Sequence, residues 1–286
     1  MTVITIGHSV RDELDGCLRS LREHAGMPLK TILVDNASTD GTVEWVRGAY
    51  PEVEVVELRK NIWGGARNHG LAKARTPYTL FIDSDARLTA GALGAMVGAL
   101  GAHSDWDMVA PRLVYPEGRL QLSCRRLPPL LLPVMRRPPL NRWLEHSDAV
   151  SNHLMRDMDY ASERPVLYTI GACQLFRTAV AQRVGPLDVA IGRGGCEDID
   201  WGIRFWLAGA EVHYVPEATV VHAYRRASSK RPLSPGAWRH LRAFARVQSK
   251  HWRRRGELRT LSDELDRRAS ERSVASAAEL AAAERQ

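Results

Sequence analysis

The sequence predicts an α/β domain built on a mainly parallel sheet. Three observations carry this. Apolar runs and amphipathic stretches alternate four times within the first 82 residues. The links between them are short. Polar clusters sit where the apolar runs end, at Gly7-His8-Ser9, Asp35-Asn36 and Asp83-Ser84-Asp85. Those are the positions at which open α/β sheets bind ligands.

Val3 to Ile6 reads as a buried first strand. Asp12 to His24 reads as a helix, with Leu14, Leu18 and Leu21 on one face. Thr31 to Val34 is a second strand. It runs into a polar turn, Asp35 to Thr42, in which Asp40 caps the next helix. That helix spans Thr42 to Tyr50. Val53 to Leu58 is a third strand, Ala66 to Ala74 another helix, and Tyr78 to Ile82 a fourth strand. After Pro111 the rhythm breaks. Residues 112–165 are rich in Pro, Arg and Leu and read as an insertion or lid. A strand over Val166 to Ile170 and a helix over Thr178 to Val184 follow. Asp198 to Ala208 is helical, and strands lie near Val212 to Val215 and Thr219 to Val221. Pro235 to His251 reads as a basic amphipathic helix. The charged, Ala-rich tail after Gly256 reads as a loose helix or disorder.

Composition bounds the class. With 286 residues, 44% hydrophobic and 26% charged, the chain can bury a substantial core, as one large domain or a domain with an appendage. A net charge of +7 and a pI near 9.5 favour anionic partners such as nucleotides, phospholipid head groups, nucleic acid or acidic glycans, or serve solubility alone. Cys17, Cys124, Cys173 and Cys196 form no C-x-x-C pair, which argues against a zinc site or disulfide framework and fits a reducing cytosol. Thr2 to Ile6 is too short and uncharged for a signal peptide. The longest apolar run, Leu127 to Met135, contains three prolines and falls short of a membrane span. The expectation is a cytoplasmic protein, soluble or peripheral to the inner face of a membrane.

Two acidic clusters dominate the chemistry. In extended backbone, Asp83 and Asp85 point the same way, so both can face one Mg²⁺ or Mn²⁺. Such an ion would neutralise a departing diphosphate. A solvated turn is the bland alternative. The second cluster is Glu197-Asp198-Ile199-Asp200, behind Gly194-Gly195. Acidic residues in a first helical turn are ordinary dipole partners, but three carboxylates in four residues exceed what capping needs. Asp198 is the candidate base, with Glu197 or Asp200 orienting it or the acceptor. His222 is a candidate ligand, although a lone histidine is more often structural. Asp35 stands where a carboxylate can accept from a base N–H. Asn61 to Gly70 is a Gly-rich stretch in which Arg67 can reach a phosphate. Arginine pairs run through the second half: Arg125-Arg126, Arg136-Arg137, Arg225-Arg226, Lys230-Arg231 and Arg253-Arg254-Arg255. Trp238, Trp252 and the arginines of the late helix can lie on a membrane surface or on solvent.

Taken together, Val34-Asp35-Asn36-Ala37-Ser38-Thr39-Asp40-Gly41-Thr42, Asn61 to Gly70, Phe81-Ile82-Asp83-Ser84-Asp85, Gly171 to Arg177, Glu197-Asp198-Ile199-Asp200-Trp201 and Pro216-Glu217-Ala218 leading to His222 resemble the inverting family 2 glycosyltransferases of GT-A fold, closest to their rhamnosyltransferase-like branch. The resemblance covers residues 2 to about 225. It implies a Rossmann-like sheet flanked by helices with a C-terminal helical extension. Residues 1–111 would form a nucleotide-sugar-binding half, 112–225 an acceptor-binding and catalytic half, and 226–286 a basic extension. The donor would contact Ser9, Asp35, Asn61, Gly65, Arg67, Asn68, Asp83 and Ser84. Asp83, Asp85 and His222 would hold the metal, and Asp198, with Glu197, would serve catalysis. The donor would be a pyrimidine nucleotide-sugar, dTDP- or UDP-linked, with dTDP-rhamnose favoured by the branch. The acceptor would be a glycan, a lipid-linked glycan or a natural product. Gly7-His8-Ser9 departs from the Thr-Tyr-Asn of many relatives, and Asp83-Ser84-Asp85 from the branch's Asn-Pro-Asp. Leu127 to Arg164 matches nothing and is expected to shape the acceptor site. Nucleotidyltransfer is a second reading, though Gly7-His8-Ser9-Val10-Arg11 fits its Gly-rich loop poorly. A non-catalytic binding module would have no use for both acidic clusters. Nucleic-acid binding lacks a recognised motif.

Overall fold

The computed structural model describes residues 1–223 and 234–283, with side chains described to residue 272. Arg225-Arg226 and Lys230-Arg231 lie outside the described residues. The first half alternates as expected: β1 (Thr2–Gly7), α1 (Arg11–His24), β2 (Lys30–Asp35), α2 (Thr42–Ala49), β3 (Glu54–Glu57), a 3₁₀ turn (Trp63–Ala66), α3 (Arg67–Leu71) and β4 (Tyr78–Ile82). β5 (Ala86–Leu88), α4 (Ala92–Ala102) and β6 (Trp106–Val114) follow. α4 and β6 had no clear signature. α4 is an Ala/Gly/Leu helix with no charged residue and no amphipathic stripe. β6 runs straight through Pro111 to Val114.

The sheet is mainly parallel, with antiparallel strands set into it. β3, β2, β1 and β4 run parallel in that spatial order. Cys173–Arg177 then pairs antiparallel with both β4 and β6. Glu211–His222 lies parallel to β6, and β5 antiparallel to Glu211–His222. Strands joined by one crossover helix are parallel. After the long 115–172 connection the chain re-enters from the opposite end. The expected strand over Val166 to Ile170 is only a short ladder, Tyr168–Thr169 against Cys124–Arg125. The two expected late strands are one, Glu211–His222, with register shifts that let it turn along β6.

Both faces of the sheet are covered, which explains the uninterrupted apolar runs. Val3, Leu80 and Ile82 pack with Leu14, Leu93, Met96 and Trp106 on one face. Ile4 and Phe81 pack with Phe176, Trp201 and Phe205 on the other. Neighbours alternate between the two faces, as the pleat requires. A third cluster joins Leu132 and Val150 of the 115–172 segment, Ile199 and Ile203 of the Glu197–Leu207 helix, and Ala243, Phe244, Val247, Leu258 and Leu265 of the C-terminal helices.

The tail is a docked helix, Arg255–Ala283, rather than a loose one. Asp266 on this helix pairs with Arg126 and with Arg164 at 2.6 Å, and Arg268 with Glu211 at 2.9 Å. Arg126 is buried and also grips Asp157 at 2.7 Å, so this member of the expected basic surface is an internal tie. All four cysteines are free and buried.

Candidate active site

β4 carries the first acidic cluster to the carboxyl edge of the sheet. Asp83 N–H donates to the Ala172 carbonyl at 2.8 Å, and Ala86 N–H to the Asp83 carbonyl at 3.0 Å, closing a tight turn into β5. β5 pairs with the end of the last strand, Ala86 opposite His222, and Ala223 N–H donates to the Asp85 carbonyl at 3.0 Å. This pairing brings together side chains more than 130 residues apart in sequence. Asp83, Asp85 and His222 each offer a ligand atom, and these all lie within 4.8 Å of one another. His222 Nε2 is 3.4 Å from Asp85. Its Nδ1 lies 2.6 Å from Gln121 Oε1, a contact that holds the ring with Nε2 toward the Asp85 carboxylate. Two carboxylates and an imidazole so arranged suit a hard or borderline divalent cation. Gln121 carried no sequence signal, because its role depends on the hairpin partner of β6.

Arg67 is buried behind this cluster. Its guanidinium donates to Asp83 and, at 2.8 Å, to the Gly171 carbonyl, and stands 5.3 Å above the Phe81 ring. It lines the cavity, but its first commitment is to Asp83.

The second cluster opens the Glu197–Leu207 helix. Glu197 and Asp198 look into the cavity that holds the metal-ligand candidates, about 730 Å³ and lined also by Gly7, Asn61, Trp63, Gly64, Ser84 and Gly171. Protein surrounds both carboxyls on their remaining sides. Burial, then the neighbouring Asp198 charge, pushes Glu197 above the usual carboxylate range. Burial raises Asp198 too, against the Ile199 N–H that donates to it at 2.8 Å. Glu197 Oε2 is buried without a hydrogen-bond partner among the described residues. Gly64 makes room for this side chain: a Cβ there would lie 1.9 Å from Glu197 Oε1. Asp200 faces the other way. Its carboxylate meets His251 at 2.8 Å and Lys250 at 2.9 Å, so it anchors the C-terminal helix and does not orient an acceptor.

The remaining donor-site expectations divide. Asn61 and Ser84 line the cavity; Ser9, Asp35, Gly65 and Asn68 do not. Ser9 ties two loops, accepting from Thr39 N–H at 3.4 Å while its own N–H donates to Ser38 at 2.9 Å. Asn68 spends both ends of its amide on the Leu187 backbone, at 2.8 Å each. Gly65 is buried against Val189. Asp35 accepts from Ser38 N–H at 3.0 Å, and its Oδ1 is buried without a partner among the described residues. Asp40 is not the cap: that position is Gly41, and Asp40 accepts from Thr42 N–H at 3.2 Å in the turn before the helix. Asn36 clamps the 61–63 loop, accepting from Ile62 N–H at 2.8 Å and donating to the Trp63 carbonyl at 3.1 Å. That clamp, with Asn61 accepting from Trp63 N–H at 2.8 Å, holds Trp63 at a φ of 53°, a conformation costing about 1–2 kcal/mol in a residue with a side chain. Arg193, Ser234, Gly236 and Arg239 complete the wall. Arg239 lies 5.1 Å from the Trp63 ring. The last three were not legible as site residues, because only tertiary packing brings the Pro235–His251 helix to the cavity.

Residues 2–185, well over half of the chain, match Glycosyl transferase family 2. The chain belongs to that family. Among curated relatives of this glycosyltransferase, the N-acetylglucosaminyl-diphospho-decaprenol L-rhamnosyltransferase of Mycobacterium tuberculosis is 26% identical over 273 residues, 88% of this chain and 86% of the relative. Among solved structures, GalNAc-T7 with UDP, GalNAc and Mn²⁺ matches with a TM-score of 0.64 at 15% identity, over 88% of this chain and 48% of that one. S. aureus TarS matches with a TM-score of 0.56 at 18% identity, over 80% of this chain and 37% of that one. The chain thus spans less than half the length of these two structural relatives. The glycosyltransferase has the α/β GT-A fold with a helical C-terminal extension.

Proposed function

We propose that the enzyme moves a sugar from a pyrimidine nucleotide-diphosphate donor to an acceptor hydroxyl, with inversion at the anomeric carbon. The observation that carries this is the sharing of one cavity by the Asp83–Asp85–His222 cluster and the Glu197–Asp198 pair. Asp83, Asp85 and His222 would hold a divalent cation, Mn²⁺ or Mg²⁺. When bound, it supplies charge neutralisation for the departing diphosphate. Arg67 keeps Asp83 oriented. Asp198 takes the proton from the acceptor hydroxyl, and Glu197 beside it favours a single ionised carboxylate at a time. The acceptor oxygen attacks from the face opposite the diphosphate, through an oxocarbenium-like transition state. The name of the Mycobacterium tuberculosis relative supports rhamnose as the sugar moved and a lipid-linked sugar as acceptor.

Thermal shift across UDP-, dTDP- and GDP-sugars, with and without Mn²⁺, tests the donor side. A stabilisation by one pyrimidine donor that requires metal is expected; no response to any sugar donor would refute the reading. Asp198→Asn tests the chemistry. Donor binding should persist while transfer falls on the order of 10²- to 10⁴-fold; near wild-type transfer would remove Asp198 from its role.

A further inference from the structure

Among the described residues, seven of the nine exposed large apolar side chains fall in two segments, Trp63 and Val189 being the others. Leu130, Leu131, Val134, Leu140 and Trp143 come from one short stretch of the 115–172 segment, and Trp143 and Leu131 are 68% and 64% exposed. Trp238 and Trp252 mark the two ends of the Pro235–His251 helix. The two segments touch. Arg255 donates to the Pro128 carbonyl at 2.9 Å, Arg137 donates to the Ala237 carbonyl at 3.0 Å, and Leu132 packs in one cluster with Ala243, Phe244 and Val247. Leu132 and Pro133 turn inward there, which leaves Leu131 and Val134 facing out.

Charge is equally concentrated. Residues 127–144 and 235–255 hold ten of the 40 Lys and Arg and none of the 33 Asp and Glu, so the rest of the chain, with 30 against 33, is slightly acidic. Arg136, Lys250 and Arg254 pair with Glu145, Asp200 and Glu257 from outside these stretches, and the apolar side chains set among the other cations make a poor match for a neutral protein surface. They match the head-group layer of an anionic bilayer, where aromatic and aliphatic tips insert and guanidinium groups meet phosphate. Among the described residues no helix is long and apolar enough to cross a membrane.

We propose that this face, Leu130 to Trp143 together with the outer side of Pro235–His251, docks flat on an anionic lipid bilayer. Trp238 sits between Gly236 and Arg239, which line the cavity, so the face borders the cavity mouth. An amphiphilic acceptor anchored in the same bilayer would present its head group there, a corollary that rests on the function proposed above.

Vesicle flotation of the full chain, without donor or acceptor, tests the docking. The protein should float with phosphatidylcholine–phosphatidylglycerol vesicles, stay behind with phosphatidylcholine alone, and release as salt is raised. The pair Leu131→Ser with Trp143→Ser, and separately the pair Arg142→Glu with Arg242→Glu, should each weaken partitioning about tenfold or more. Circular dichroism and donor hydrolysis should stay unchanged. Absence of flotation with anionic vesicles overturns the proposal. So does equal flotation by both variant pairs. Light scattering that shows this face closing a dimer, which the variants dissociate while vesicles remain unbound, would assign it to a second copy instead.

Discussion

At the scale of single residues, the site is an arrangement of carboxylates with different surroundings. Asp83 is paired with a buried guanidinium, Asp85 lies beside an imidazole, Asp200 is neutralised by the C-terminal helix, and Glu197 and Asp198 have each other. Burial pushes both of the last two upward, and the Asp198 charge adds to the rise at Glu197. A base must be ionised to act. Transfer should therefore decline on acidification at a pH above the usual carboxylate range, and recover as pH rises through the pair's titration. A kcat–pH profile checks this; an acidic limb at the ordinary aspartate value, about 3.9, would mean that neither carboxyl is the base. The Asp83-Ser84-Asp85 and Glu197-Asp198 clusters were legible because their spacing is local. The functions of Arg239 and Gln121 were not, since each depends on an element distant in sequence meeting the sheet edge.

At the scale of elements, glycines set how closely the Trp63–Ala66 turn approaches its neighbours. A Cβ at Gly64 would meet only the flexible end of Glu197, whereas one at Gly192 would lie 2.9 Å from the Gly65 backbone nitrogen. Gly64→Ala should therefore leave stability nearly intact, within about 1 kcal/mol, while displacing Glu197 and lowering kcat. Gly192→Ala should destabilise first. Denaturant melts paired with initial rates separate the two effects; equal melts for both variants would mean that the loop yields freely. The helices and strands themselves show why pattern reading succeeded in part. β1, β2 and β4 are continuous apolar runs, and α1 has a clean stripe. Nothing local marks Cys173–Arg177 as the strand joining the two halves of the sheet, because its neighbours β4 and β6 are distant in sequence.

At the scale of the whole molecule, the C-terminal helices complete the domain. They contribute Phe244, Val247, Leu258 and Leu265 to a shared core, and Ser234, Gly236 and Arg239 to the cavity wall. Burial opposes ionisation of Asp200, but the hydrogen bonds from His251 and Lys250 outweigh it and hold this carboxyl below the usual range. A depressed aspartate lends stability that is complete above the unfolded value, about 3.9, and is lost as pH falls through the lower folded value. Asp200→Asn should cost about 2–3 kcal/mol at neutral pH, given that Lys250 is partly solvated, and should flatten the acid limb of a stability–pH curve. A variant as stable as the parent would show that the contact is idle. The charge asymmetry between the apolar, basic face and the remainder of the chain was present in composition from the outset. The net charge hid it, because the excess averages over the whole molecule.

The back of the Glu197–Leu207 helix bears on how such enzymes can be recombined. One turn of this helix presents Asp198 to the cavity and Asp200 to the terminal helix. A chimaera that grafts another protein's terminus onto this body would leave Asp200 stranded and would retune the reactive turn beside it. Exchange should succeed only when residues 197–207 and 235–251 travel together as a single inherited cassette.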